Sequence, residues 1–173
     1  GCHNYGNIYV NADIAPTANN NCFIGGFTYR NNNAFSFEDC HNHGDIILKE
    51  GITIGNSIRV GGFIGTMETN VNVTFNGCSN SGDIIIPNSV VCGCTTTNTT
   101  GYVRVGGIVG YAKGSTISGN TIENVTLTQD NAHNYKNYTK LADFNIGHFV
   151  GRNDGSTLSG NNGTAQIVIN LEG

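Results

Sequence analysis

One nine-residue phrase is written three times along this chain. Residues 2–10 read CHNYGNIYV, residues 40–48 CHNHGDIIL and residues 78–86 CSNSGDIII, so Cys-x-Asn-x-Gly-x-Ile returns every 38 residues. A second phrase falls between the copies: IRVGGFIG at 58–65, VRVGGIVG at 103–110, FNIGHFVG at 144–151, and a degraded CFIGGFTY at 22–29. Its first glycine sits at 25, 61, 106 and 147, giving steps of 36, 45 and 41. The last two copies carry matching tails, AKGSTISGN and NDGSTLSGN, which end where the cysteine phrase should return, with Ser118 and Ser159 in its place. Self-similarity at about 40 residues marks a repeat architecture, in which each unit buries its apolar face only against its neighbours.

What each unit is made of follows from composition. Glycine (25 residues) and asparagine (27) are overused among the 173 residues; both tolerate turns and positive φ. Short runs of Val, Ile, Thr, Phe and Tyr lie between them and read as strands. Long stretches of helical apolar spacing are absent, and only 129–144 (QDNAHNYKNYTKLADF) is ambiguous. The chain reads as all-β: a parallel β-solenoid of about four repeats of about 40 residues each. The units are taken as one domain over 1–173, with repeats near 2–39, 40–77, 78–117 and 118–158 and a partial one at 159–173. A small β-propeller, also built from units of about 40 residues, is the alternative. Drifting repeat lengths and a long insertion at 87–101 suit a linear stack better.

Several functional classes are disfavoured at once. Charged residues make up 12% of the chain and the net charge is −4, with no basic stripe to displace counterions, so a nucleic-acid partner is not expected. No apolar run reaches the ~20 residues of a membrane span. The chain opens on Gly1-Cys2 in mid-repeat, as a mature or excised piece of a longer chain or filament would. Six cysteines against one methionine point to an oxidising compartment, so Cys2, Cys22, Cys40, Cys78, Cys92 and Cys94 are all disulfide candidates. Cys2, Cys40 and Cys78 would form a column about 4.8 Å apart per step, near the lower limit of disulfide geometry, and Cys92 or Cys94 is expected to bond another segment. Five glycosylation sequons begin at Asn72, Asn98, Asn124, Asn137 and Asn162. With 27 Asn and 27 Ser or Thr in the chain, that number is close to chance. Alternation around Val71, Val73 and Phe75, and around Val125 and Leu127, turns Asn72 and Asn124 outward.

The phrase VGGIVGYAKGSTISGN, followed elsewhere by Cys-x-Asn-x-Gly-x-Ile, resembles the GLUG motif, a glycine-rich repeat of bacterial surface adhesins and of the non-catalytic region of some IgA-specific metalloproteases. The resemblance covers most of the chain, best from 40 to 127, and implies an extended, surface-exposed β-solenoid of adhesin type.

No catalytic or cofactor constellation emerges. The Gly-Gly pairs lack the following helix of a dinucleotide fingerprint and are read as close backbone packing. His3, His41 and His43 stand beside cysteines, but strand neighbours point to opposite faces, and the spacing is not that of a zinc site. Asp45 and Asp83 share a register, with Asn7 before them; each follows Gly in a turn-like step where Asp bonds backbone. No basic residue shares that register, Arg59 and Arg104 lying in the Gly-Gly strand. The reading is therefore non-enzymatic, with no cofactor and no metal: an extracellular or cell-surface stalk, fibre or adhesin segment, the alternative being a carbohydrate-binding or carbohydrate-active β-helix. Each cysteine phrase ends in an apolar triplet, Ile8-Tyr9-Val10, Ile46-Ile47-Leu48 and Ile84-Ile85-Ile86. With the outer two residues inside, Tyr9, Ile47 and Ile85 form an apolar outward column, an interface candidate for self-association, neighbouring repeats, or a host or environmental glycan or protein.

Overall fold

A computed structural model of the chain describes residues 1–14, 21–54, 57–67, 72–87, 91–92, 101–122, 126–129, 141–163 and 166–169. Among these residues the protein is all-β, without helix, and every ladder is parallel. Each strand pairs with its counterpart one repeat away rather than with its sequence neighbour. The cysteine phrases form a four-stranded sheet, His3–Asn4, His41–Asn42, Cys78–Asn80 and Asn120–Ile122. Their apolar triplets form a five-stranded one, Ile8–Val10, Ile46–Leu48, Ile84–Ile86, Thr126–Gln129 and Gln166–Ile169. The glycine phrases make two more four-stranded sheets: Asn21–Gly25, Ser57–Gly61, Gly101–Gly106 and Leu141–Gly147 before the glycine pair, and Thr28–Asn31, Ile64–Met67, Val109–Lys113 and Val150–Asp154 after it. Short ladders close the round, Phe35–Glu38 with Val73–Asn76, Thr116–Ser118 with Thr157–Ser159, and Thr53–Ile54 with Val91–Cys92.

Of the ambiguous stretch 129–144, Gln129 ends one strand and Leu141 begins another; residues 130–140 lie outside the described ones, as do most of 87–101.

The alternation of the cysteine phrase decides what is core. In the second copy Cys40, Asn42, Gly44, Ile46 and Leu48 are buried, while His41, Asp45 and Ile47 are half-buried and His43 is exposed. The third copy repeats this with Asn80, Gly82, Ile84 and Ile86 inside. In the second and third copies the fixed letters of the motif are therefore its interior and the variable letters its outer side, although Ser79 on that side is itself buried. In the first copy, by contrast, Cys2 and Gly6 are exposed. Inside, like stacks on like: Phe27 on Phe63 at 4.8 Å and Phe37 on Phe75 at 5.1 Å between ring centroids, offset ring pairs being favourable beyond their burial.

The Gly-Gly phrase has an equally local cause. After the pair the chain folds back so closely that a Cβ on Gly110 would lie 2.6 Å from the Gly65 carbonyl oxygen and 2.7 Å from the Val60 nitrogen. The second glycine of the pair makes room for the cysteine phrase: a Cβ on Gly62 would strike the Asn80 amide. Asn80 Nδ2 donates to the Gly107 carbonyl at 2.8 Å, which ties the two recurring phrases together across the interior.

Candidate functional site

The outward letters of the three cysteine phrases lie side by side because the ladders run in register. Residue 3 faces 41 and 41 faces 79; residue 9 faces 47 and 47 faces 85. One face of the molecule is thus a grid of His3, Tyr5, Asn7 and Tyr9, then His41, His43, Asp45 and Ile47, then Ser79, Ser81, Asp83 and Ile85.

Its columns differ in chemistry. In the apolar column Tyr9 is 57% exposed, Ile47 and Ile85 are half-buried, and the register continues through the backbones of Thr128 and Val168. These are the three residues expected to point outward. In the acidic column each side chain caps the next rung: Asn7 Oδ1 accepts from the Asp45 backbone N–H and Asp45 Oδ1 from that of Asp83, both at 2.9 Å. The carboxylates thus serve the backbone, as their Gly-Asp context suggests. Arg59 and Arg104 sit in the Gly-Gly strands in mutual register, their guanidinium carbons 4.7 and 4.4 Å from the Tyr111 ring centre, and 4.7 and 4.6 Å from those of Phe23 and Tyr102 respectively.

The remaining two columns hold an imidazole cluster whose mutual contacts the sequence spacing did not reveal. His3 stacks on His41 at 4.8 Å and Tyr5 on His43 at 4.8 Å, while His43 lies 5.9 Å from His3 and 6.1 Å from His41. Nδ1 of His41 is 2.7 Å from Ser79 Oγ and Nδ1 of His43 is 2.8 Å from Ser81 Oγ. On its other side His41 Nε2 is 3.1 Å from Asp39 Oδ1. That hydrogen bond, first among the causes, holds the Asp39 carboxyl below its usual range. The inward side has its own chain of amides: Asn4 Nδ2 donates to Asn42 Oδ1 at 2.8 Å, and Asn42 Nδ2 to Asn80 Oδ1 at 2.7 Å. The repeated Asn of the motif was the signal for this ladder.

The cysteines depart from expectation. Cys2, Cys22, Cys40 and Cys78 are free thiols, and no disulfide is present among the described residues. The thiols find other partners: Cys40 Sγ donates to the Glu38 carbonyl at 3.3 Å and Cys78 Sγ to the Phe37 carbonyl at 3.4 Å. Burial pushes the Cys22 thiol from 9.0 up to about 11 and raises that of Cys78 as well. The Cys92 side chain and Cys94 lie outside the described residues. Of the sequon asparagines, Asn72 and Asn162 are exposed, and Asn98, Asn124 and Asn137 lie outside the described residues. No helix is long and apolar enough to cross a membrane among the described residues. Comparison with protein-family models, curated proteins and solved structures finds no match.

Proposed function

We propose that this chain is a non-enzymatic β-solenoid segment of an extracellular stalk, surface fibre or adhesin, with the outward grid of its cysteine phrases as the contact face. The observation that carries this reading is the register. Because every described ladder is parallel and joins residues one repeat apart, each outward letter becomes a column running from rung to rung. A propeller blade is an antiparallel meander of sequence neighbours, a pairing that none of the described ladders shows. In this reading the four repeats and the partial fifth are one stack, and the resemblance to GLUG-type repeats supplies the surface location; the free thiols lend it nothing.

The contact face is the apolar column Tyr9, Ile47 and Ile85, bordered by the aromatic and imidazole columns. Its partner is a neighbouring copy or repeat, or a glycan or protein of the surroundings. A carbohydrate-active site is the weaker alternative, since Asp45 Oδ1 is already occupied by the next rung's backbone. The test replaces Ile47 and Ile85 together with Lys. The β signal in circular dichroism should persist while self-association in sedimentation, or adhesion to cells or immobilised glycans, is lost. A variant that associates and adheres like the parent would refute the assignment of this face.

A further inference from the structure

One apolar column of the stack is covered in the middle and bare at both ends. Val73 is in register with Phe35, the bridge of Asn72 to Thr116 sets Val73 beside Ile117, and Ile117 pairs with Leu158. Val73 and Ile117 are fully buried, whereas Phe35 is 54% and Leu158 42% exposed. The same position is core where a strand lies on each side of it and surface where a strand lies on one side alone.

At the Phe35 end the bare place is a cavity of about 540 Å3, walled by Phe27, Phe35, Phe37 and Cys40 and bordered by Gly1 and Cys2. The strand beside it, Phe35–Glu38, has one partner among the described residues, Val73–Asn76. The Phe35 and Asp39 N–H groups point to that partner and donate to the Asn72 and Asn76 carbonyls at 3.2 and 2.8 Å. In a parallel ladder alternate residues direct their backbone groups to opposite sides. The Ser36 and Glu38 N–H groups therefore face the other way, on the side of the cavity.

The second rung shows what fits such a place. Its Val73-Thr74-Phe75 lies along the opposite edge of the same strand. Phe75 stacks on Phe37 at 5.1 Å and meets Phe63 edge-on at 5.5 Å, and Thr74 Oγ1 is 2.6 Å from Ser36 Oγ. A whole second copy does not fit. If a copy laid its Phe35–Glu38 on Thr157–Ser159, its Ile8–Val10 would have to lie on Thr126–Gln129, where Gln166–Ile169 already sits. A single strand meets no such obstacle.

We propose that this groove is a strand-addition site for an extended segment of a separate protein, parallel to Phe35–Glu38, with two apolar side chains flanking a small hydroxyl residue. Main-chain bonds to the Ser36 and Glu38 edge hold the segment, and the cavity selects side chains two residues apart, the general logic of strand addition. The groove is separate from the face of Tyr9, Ile47 and Ile85, so the inference does not rest on that contact.

The test titrates the full chain into a fluorescently labelled peptide with the sequence of residues 71–77, VNVTFNG. Anisotropy should rise to saturation at one peptide per chain, with amide shift changes centred on Phe35–Glu38. A control peptide with serine in place of the residues matching Val73 and Phe75 should bind roughly tenfold more weakly or worse. Phe35→Ser alters an exposed position, so it should melt close to the parent while losing affinity to a similar degree. The proposal is overturned if the parent shows no saturable binding, or if Phe35→Ser and the control peptide bind as the originals do. Self-association of the chain that the peptide abolishes would also overturn it, by giving the groove to a second copy.

Discussion

Substituting Asn42 with alanine tests whether the inward amide ladder holds the rungs together. Asn42 is 1% exposed and makes three side-chain hydrogen bonds. Nδ2 donates to Asn80 Oδ1 at 2.7 Å and to the Gly44 carbonyl at 3.0 Å, and Oδ1 accepts from Asn4 at 2.8 Å. Alanine removes all three and strands the Asn80 oxygen in a fully buried place, whereas the half-exposed Asn4 amide can turn to water. An orphaned buried polar group costs about 1–3 kcal/mol. With the lost bond to Gly44 added, the change should destabilise the protein by about 3 kcal/mol, or roughly 6–12 °C in Tm for a chain of this size. Urea denaturation followed by circular dichroism measures it. His43→Ala, one residue on and exposed, gives up one exposed hydrogen bond to Ser81 and its ring contact with Tyr5, and should cost no more than about 1 kcal/mol. If Asn42→Ala costs no more than His43→Ala, the ladder is not what ties the rungs together.

Two other perturbations follow from the same coordinates. Gly110→Ala should abolish folding or leave only insoluble protein, because its Cβ meets two rigid backbone atoms. Gly51→Ala, where a Cβ would meet nothing within 4 Å, should cost only the ~1–2 kcal/mol of a left-handed alanine, a contrast that expression and thermal melting would reveal. Alkylation of unreduced, denatured protein should label at least Cys2, Cys22, Cys40 and Cys78; in the folded protein at pH 8, Cys22 should react far more slowly than exposed Cys2. Since the raised Cys22 value favours the neutral thiol in the fold, its contribution to stability is complete below about pH 9 and is lost as pH climbs towards 11. Rapid, uniform labelling of all four thiols in the native state would contradict this burial.

Much of the β architecture was legible from two short phrases, since a period-two pattern fixes which letters face inward. The triplets 46–48 and 84–86 were placed correctly: the outer isoleucines and leucine are fully buried and the middle residue faces out. The same alternation, carried back to the Asn of each motif, would have exposed the amide ladder. It even shows where the ladder stops, for the register partner of Asn80 is Ile122, and the last glycine pair has become Gly147-His148. Cysteine pairing was not legible, because composition speaks of compartment while bonding depends on side-chain direction. Cys40 and Cys78 instead donate to carbonyls of the strand Phe35–Glu38. The stacking of His3 on His41 was hidden for another reason: the two meet only because the 38 residues from one to the other make one complete round.

The in-register stacking of rungs is tested most directly by backbone nuclear Overhauser contacts in isotopically labelled protein. The register gives contacts between Ile8 and Ile46, and between Ile46 and Ile84, each 38 residues apart, with the Ile46 amide bonded to the Asp83 carbonyl and protected from hydrogen exchange. Parallel cross-strand contacts at these pairs, repeated at Gly25 to Gly61 and Gly61 to Gly106, are the predicted result. Antiparallel contacts between strands that follow one another in sequence, with none linking residues 38 apart, would contradict it.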